Sequence, residues 1–142
     1  MIMGLEHVAL SVSNLDRSID FYCNTMGLEL IRIIEGNPKM RLGDIVGIPG
    51  CTARIAHLRS GEFMLELFEY LQPRGKPIPE DFKQADNGYT HIGFRSTDVR
   101  KDFQLMKKRG IKFIGEPVEF RPGVWVVYFY GPDGEVCELR QT

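Results

Sequence analysis

The chain changes hydrophobic period several times, and each change marks an element. Residues 2–12 alternate apolar and polar, with Val8, Leu10 and Val12 on the side opposite His7, as in a half-buried strand. Asn14 then offers a helix N-cap, Asp16 stands in the first turn, and Leu15, Ile19, Tyr22 and Met26 recur at helical spacing up to a stop at Gly27. Residues 28–34 are β-branched and apolar and predict a second strand. Residues 35–50 have Gly and Pro but no period, which suits a loop lying over a site. Residues 51–58 and 62–70 predict two strands joined in a hairpin at Arg59-Ser60-Gly61. Pro73, Gly75, Pro77 and Pro79 then mark a linker, with one helical turn expected near residues 81–84.

The second half follows the same plan. Residues 89–96 predict a strand, and Thr97 or Asp98 caps a helix showing Val99, Phe103 and Met106 on one face before Gly110. Residues 111–118 and 124–130 predict strands around a turn at Arg121-Pro122-Gly123. Gly131-Pro132-Asp133-Gly134 turns the chain into a last strand over residues 135–140. A βαβββ unit therefore occurs twice. The expected fold is α+β: module 1 over about 1–70, a linker over about 71–87, and module 2 over about 88–142, together one domain across 1–142. Two such modules side by side are expected to form a curved, half-open mixed sheet, a cup with the helices outside and room for a ligand.

Composition narrows the function classes. The 142 residues are 43% hydrophobic and 26% charged, enough to bury a core without staples. Eighteen basic and 19 acidic residues give a net charge of −1, which argues against nucleic acid or a charged membrane surface as partner. No apolar run approaches the roughly 20 residues of a membrane span, and no signal peptide is expected. Cys23, Cys51 and Cys137 form neither a zinc-type pair nor a disulfide framework, so reduced thiols and a cytoplasmic location are expected.

The repeat also duplicates chemistry. Gly4-Leu5-Glu6-His7 and Gly88-Tyr89-Thr90-His91 each place a histidine three residues after a glycine. Each half also ends in a glutamate between apolar residues, Leu65-Glu66-Leu67 and Cys137-Glu138-Leu139. If those apolar neighbours pack under the helices, alternation turns both carboxylates and both imidazoles into the cup. His7, Glu66, His91 and Glu138 would then hold one divalent metal, with Zn, Ni, Co, Mn and Fe all compatible with these donors. His57 has no echo in the second half and is expected at the surface or an edge.

In order and spacing, these motifs resemble the vicinal oxygen chelate superfamily (VOC domain), which includes glyoxalase I, epimerases, extradiol dioxygenases and fosfomycin-type resistance proteins. The carrying residues are His7 in Leu5-Glu6-His7-Val8-Ala9-Leu10, the run from Asn14 to Tyr22 and on to Gly27-Leu28, Leu65-Glu66-Leu67, His91-Ile92-Gly93-Phe94, and Asp133-Gly134 leading to Glu138-Leu139. With all four ligand places filled, the pattern is most similar to glyoxalase I-like enzymes. The resemblance implies a metal-dependent lyase or isomerase that stabilises an enediolate or enolate of a small carbonyl substrate. Glu138 would act as catalytic base and Glu66 as its near-symmetric partner. It also implies a homodimer, with paired modules drawn from one chain or from two.

The departures from glyoxalase I concern its substrate. Ser11 and Tyr70 stand where that enzyme commonly has a glutathione-contacting Arg and Asn, so a substrate not linked to glutathione is expected. Arg95, four residues after His91, is a candidate anchor for an anionic group, and Phe68, Tyr70, Tyr89 and Tyr128 are candidate pocket walls. Two alternatives are an Fe(II) ring-cleaving dioxygenase and an antibiotic-sequestering resistance protein of the same fold.

Overall fold

The structure is a computed structural model that describes residues 1–37 and 39–141. The chain divides into two compact units, Met1–Pro77 and Ile78–Thr142. Each is built on a four-stranded mixed sheet, giving an α+β fold with the same order of strands in both halves and one extra short helix in the first.

In the first unit, β1 (His7–Ser11) leads into α1 (Leu15–Asp20), which continues as a π-helical turn over Phe21–Thr25. β2 (Glu29–Ile34), a short helix α2 (Leu42–Val46), β3 (Thr52–Ser60) and β4 (Phe63–Gln72) follow. The sheet order is β1-β4-β3-β2, with β1 parallel to β4 and the other pairs antiparallel. In the second unit, β5 (Ile92–Arg95), α3 (Val99–Lys108), β6 (Val118–Arg121), β7 (Val124–Tyr130) and β8 (Val136–Gln141) give the equivalent order β5-β8-β7-β6. β5 is again parallel to β8.

Strand alternation sorts the faces as expected. Leu65 and Leu67 on β4, with Ala56 and Leu58 on β3, are buried on the side that α1 covers with Leu15 and Tyr22. In the second unit Val99, Phe103 and Met106 of α3 meet β7 and β8, where Val127, Phe129, Cys137 and Leu139 are buried. Phe113 joins that core edge-on to Phe103, with ring centroids 4.6 Å apart. Truncating a wholly buried side chain such as Leu67 or Phe103 to alanine should cost about 2–5 kcal/mol.

The helix starts are copied between units in atomic detail. Asn14 Oδ1 accepts from Arg17 N at 2.9 Å, and Asp98 Oδ1 accepts from Lys101 N at 3.0 Å. Asp98, not Thr97, is therefore the second cap. The first helical N–H is taken by the residue three places after the strand carboxylate: Leu15 N donates to Glu69 at 3.1 Å, and Val99 N donates to Gln141 at 3.0 Å. Each helix is thus tied at its start to the strand carrying Glu66 or Glu138. Gly27 and Gly110, with φ of 79° and 83°, take the left-handed conformation that ends each helix.

Four local expectations are corrected. The first helix buries Leu15 and Ser18 and, through its π-helical turn, Phe21 and Tyr22, while Ile19 and Met26 are only half-buried. The segment 35–50 contains α2, too short to show a period. The strand expected over 111–118 is a single bridge from Phe113 to Phe129, and regular pairing begins only at Val118. Around residues 79–86 the chain makes isolated turns closed by Phe82 N to Pro79 O and Asp86 N to Lys83 O, without a helix.

Candidate metal centre

In the first unit, His7 sits on edge strand β1 and Glu66 on the adjacent β4, where Ala9 and Glu66 are register partners. Their side chains meet, with His7 Nε2 3.5 Å from Glu66 Oε2. The other ring nitrogen, Nδ1, faces Glu6 Oε2 at 3.0 Å. The second unit repeats the pair more tightly. His91, just before β5, places Nε2 3.0 Å from Glu138 Oε2 on β8. Its Nδ1 lies 3.2 Å from Gln84 Oε1 and 3.0 Å from Thr90 Oγ1. Gln84 is oriented by its own amide, which donates to the Thr90 carbonyl at 3.1 Å and so turns Oε1 toward the ring.

These outer contacts are compatible with a ring proton on Nδ1, where each ring faces a side-chain oxygen. A ring protonated there keeps a lone pair on Nε2. In both units Nε2 faces a carboxylate oxygen, at 3.5 Å in the first and 3.0 Å in the second, so a ring in that tautomer would offer its lone pair to a cation that the carboxylate also binds. Histidines that bind metals through Nε2 are held through Nδ1 in this way. Imidazole nitrogen with carboxylate oxygen suits a first-row divalent ion, so the donor chemistry fits the expected metal. Each unit supplies one such His–Glu pair. Among the described residues, no group of three or more His, Cys, Asp or Glu forms a metal cluster by itself.

Burial favours the carboxylates. The Glu66 and Glu138 side chains are 15% and 12% exposed, against 40% and 30% for His7 and His91. The rings form the solvent-facing half of each pair.

His57 is not a surface residue. It lies on inner strand β3, its side chain is 12% exposed, and its Nε2 is 3.2 Å from Glu66 Oε1. It is also the register partner of Glu66. The corresponding partner of Glu138 is Tyr128 on β7. Tyr128 stacks on His91 with ring centroids 4.9 Å apart, and its hydroxyl lies 3.5 Å from His91 Nε2. Burial raises the Tyr128 pKa, and the charge of Glu138 and a hydrogen bond to it raise it further.

A cavity of about 840 Å³ opens over the first pair. His7, His57 and Glu66 line it, with Phe68 and Tyr70 from β4 and Ile45 and Val46 from α2. Phe68 and Tyr70 stack at 6.0 Å, and burial raises the Tyr70 pKa. Tyr89 precedes β5 and is 98% exposed, so it forms no wall within its unit. Arg95 ends β5, exposed, and its register partner on β8 is Arg140. Sequence reasoning had not singled out His57, Arg140, Glu6 or Gln84. For His57 the signal was available, because the hairpin at Arg59-Ser60-Gly61 places it opposite Glu66.

The profile of the Glyoxalase/Bleomycin resistance protein/Dioxygenase superfamily matches residues 4–139. A 2-epi-5-epi-valiolone epimerase from Actinomyces sp is 31% identical over 96% of this chain and 78% of its own length. A probable lactoylglutathione lyase from Synechocystis is 27% identical over 99% and 96%. Among solved structures, a glyoxalase family protein from Bacillus cereus superposes with a TM-score of 0.88 at 22% identity, covering 99% of this chain and 94% of that one. The fosfomycin resistance protein FosX from Listeria monocytogenes, complexed with Mn(II) and sulfate, has a TM-score of 0.66 at 19% identity over 100% and 94%. Most of the named relatives are enzymes, and no helix among the described residues is long and apolar enough to cross a membrane. The chain belongs to the Glyoxalase/Bleomycin resistance protein/Dioxygenase superfamily.

Proposed function

We propose that the protein is a divalent-metal-dependent isomerase of the epimerase kind, moving a proton on the carbon next to a carbonyl of a small substrate. The observation that carries this reading is the duplicated pair, His7 with Glu66 and His91 with Glu138. In each, a mostly buried carboxylate faces a histidine Nε2. His7, Glu66, His91 and Glu138 would hold the ion, which would supply Lewis-acid polarisation of the carbonyl and offset the negative charge developing on its oxygen. Glu138 takes the proton from carbon and returns it. His91 and Tyr128 flank this carboxylate and shield it from bulk water, which favours proton transfer over exchange with solvent. The cavity lined by Phe68, Tyr70, Ile45 and Val46 offers an apolar wall for the body of the substrate.

Two features favour an anionic substrate free of glutathione. Ser11 and Tyr70 replace the residues expected to contact glutathione. Arg95 and Arg140 lie side by side on parallel strands, on the face of β8 that carries Glu138. Like charges at partner positions destabilise a sheet, so an anion between the two guanidiniums would be stabilising. The epimerase is 31% identical and the lactoylglutathione lyase 27%, which favours isomerisation over lyase chemistry. A homodimer in the cytoplasm completes the proposal.

The test is solvent-proton exchange. Metal-stripped protein is reloaded with Zn, Ni, Co, Mn or Fe(II) and incubated in D2O with small hydroxy-ketones bearing a carboxylate or phosphate. Deuterium should enter beside the carbonyl only when metal is present. Oxygen uptake with catechols and Fe(II) would instead establish a dioxygenase, and tight antibiotic binding without turnover a sequestering protein.

A further inference from the structure

His57 carries a contact that the other two histidines lack. Arg32 on β2 donates its Nε–H to His57 Nδ1 at 3.1 Å. A guanidinium can only donate, so His57 Nδ1 accepts and the ring proton sits on Nε2. That proton points at Glu66 Oε1, 3.2 Å away. The other two histidines differ: the Nδ1 atoms of His7 and His91 face side-chain oxygens, not a guanidinium that can only donate. Glu66 is therefore bracketed. One oxygen, Oε2, faces Nε2 of His7, and the other receives a hydrogen bond from His57. Both imidazoles approach the same carboxylate, yet the nitrogen that His57 turns to it carries the ring proton and so cannot ligate a metal.

We propose that His57, with its tautomer set by Arg32, is a positioning residue that fixes Glu66 as a permanent ligand through Oε2 and leaves the proton-carrying role to Glu138. The inference rests on the metal-dependent reading above. The asymmetry lies in the strand opposite each carboxylate, where register pairing sets His57 against Glu66 and Tyr128 against Glu138. A carboxylate with one oxygen tied to an N–H donor, itself anchored by a guanidinium, cannot swing to collect a proton without breaking that chain. Glu138 has no imidazole on its far side; Tyr128 stacks on His91 and shares its hydroxyl between that ring and the carboxylate.

Two measurements on the full chain test this. The first is long-range 1H–15N correlation on metal-free, 15N-labelled protein. His57 should show a protonated Nε2 and a bare Nδ1, opposite to His7 and His91; a protonated Nδ1 on His57 overturns the proposal. The second is Co(II) binding, followed by calorimetry and by the visible ligand-field spectrum. His57→Leu should weaken Co(II) by about 10- to 100-fold, the usual loss when an outer-shell partner of a ligand is removed, and should shift the spectrum. His57→Gln, which keeps an N–H donor, should recover most of the affinity. Arg32→Met changes only an exposed side chain, so it tests the chain without risk to folding, and should lower affinity in the same direction by a smaller factor. If wild type binds Co(II) and His57→Leu matches it in affinity and spectrum, the positioning role is wrong and the metal reading stands. If wild type binds neither Co(II) nor Mn(II), the metal reading fails and the positioning role with it.

Discussion

Replacing Arg54 by methionine should destabilise the first unit by about 1–2 kcal/mol, and the structure says where that figure comes from. The Arg54 guanidinium meets three carboxylates: Asp16 on α1 at 3.2 Å, Glu35 after β2 at 3.0 Å and Glu69 on β4 at 3.4 Å. Asp16 and Glu35 are 73% and 68% exposed, and such surface pairs contribute little and are screened by salt. Glu69 is different. It is 13% exposed and already accepts the first N–H of α1, so losing Arg54 leaves a nearly buried carboxylate with one neutral donor. A charge-assisted hydrogen bond is worth about 1.5–3 kcal/mol, and the 22% exposure of Arg54 lowers that to about 1–2. Methionine keeps the aliphatic stem, so packing changes little. The assay is urea unfolding at neutral pH in low salt and in 1 M salt, reading the midpoint at constant slope. Most of the loss should persist in high salt, because the Glu69 contact is shielded. Acid should narrow the gap. A hydrogen bond from Arg54 holds the Asp16 carboxyl below its ordinary pKa, so the Asp16 share of the stabilisation is present above that ordinary value and is lost as pH falls through the lower folded-state pKa. A variant within about 0.3 kcal/mol of wild type would refute the reasoning, since it would leave Glu69 no worse off.

Other predictions follow from single contacts. The Ser18 hydroxyl is buried in α1 with no hydrogen-bond partner among the described residues, so Ser18→Ala should stabilise by about 0.5–1.5 kcal/mol in the same urea assay. Glu138→Gln should abolish deuterium exchange while Co(II) still binds; full turnover with metal bound would remove Glu138 as the base. Arg95→Ala and Arg140→Ala should each raise KM for an anionic substrate about tenfold, with metal affinity unchanged in binding titrations. In an alkaline ultraviolet titration of metal-free protein, Tyr70 and Tyr128 should ionise later than a free phenol, and Tyr70→Phe and Tyr128→Phe should each remove one late-titrating group.

The sequence made the repeat, the helix caps and both His–Glu pairs legible because each rests on local chemistry. Asn14 and Asp98 cap because short polar side chains before a helix do so, and Leu65-Glu66-Leu67 sorts its faces because a strand has a period of two. What stayed hidden depended on pairing or on departures from regular geometry. The π-helical turn at Phe21–Thr25 shifts the buried face by less than a turn, which no 3.6-residue template registers. The five residues of α2 are too few to show a moment, and the segment near Phe113 has strand-like composition but makes only one bridge.

His57 shows how the two kinds of information combine. Scanned for repeats, it looked isolated, because the second half has no histidine at the matching place. Paired across the hairpin, it has a counterpart after all, Tyr128, in the same relation to the other carboxylate. The duplication thus copies the contacts that position the site, including the link from each helix start to Glu69 or Gln141, and varies the side chain that faces each glutamate. Positioning contacts are constrained alike in both halves, since moving either helix would displace its strand. The group facing the carboxylate has no such constraint, and there a ring N–H anchored by Arg32 and a phenol give the two glutamates different surroundings. If the two pairs share one metal as proposed, two identical halves would have no means of telling ligand from base, and this difference would supply one.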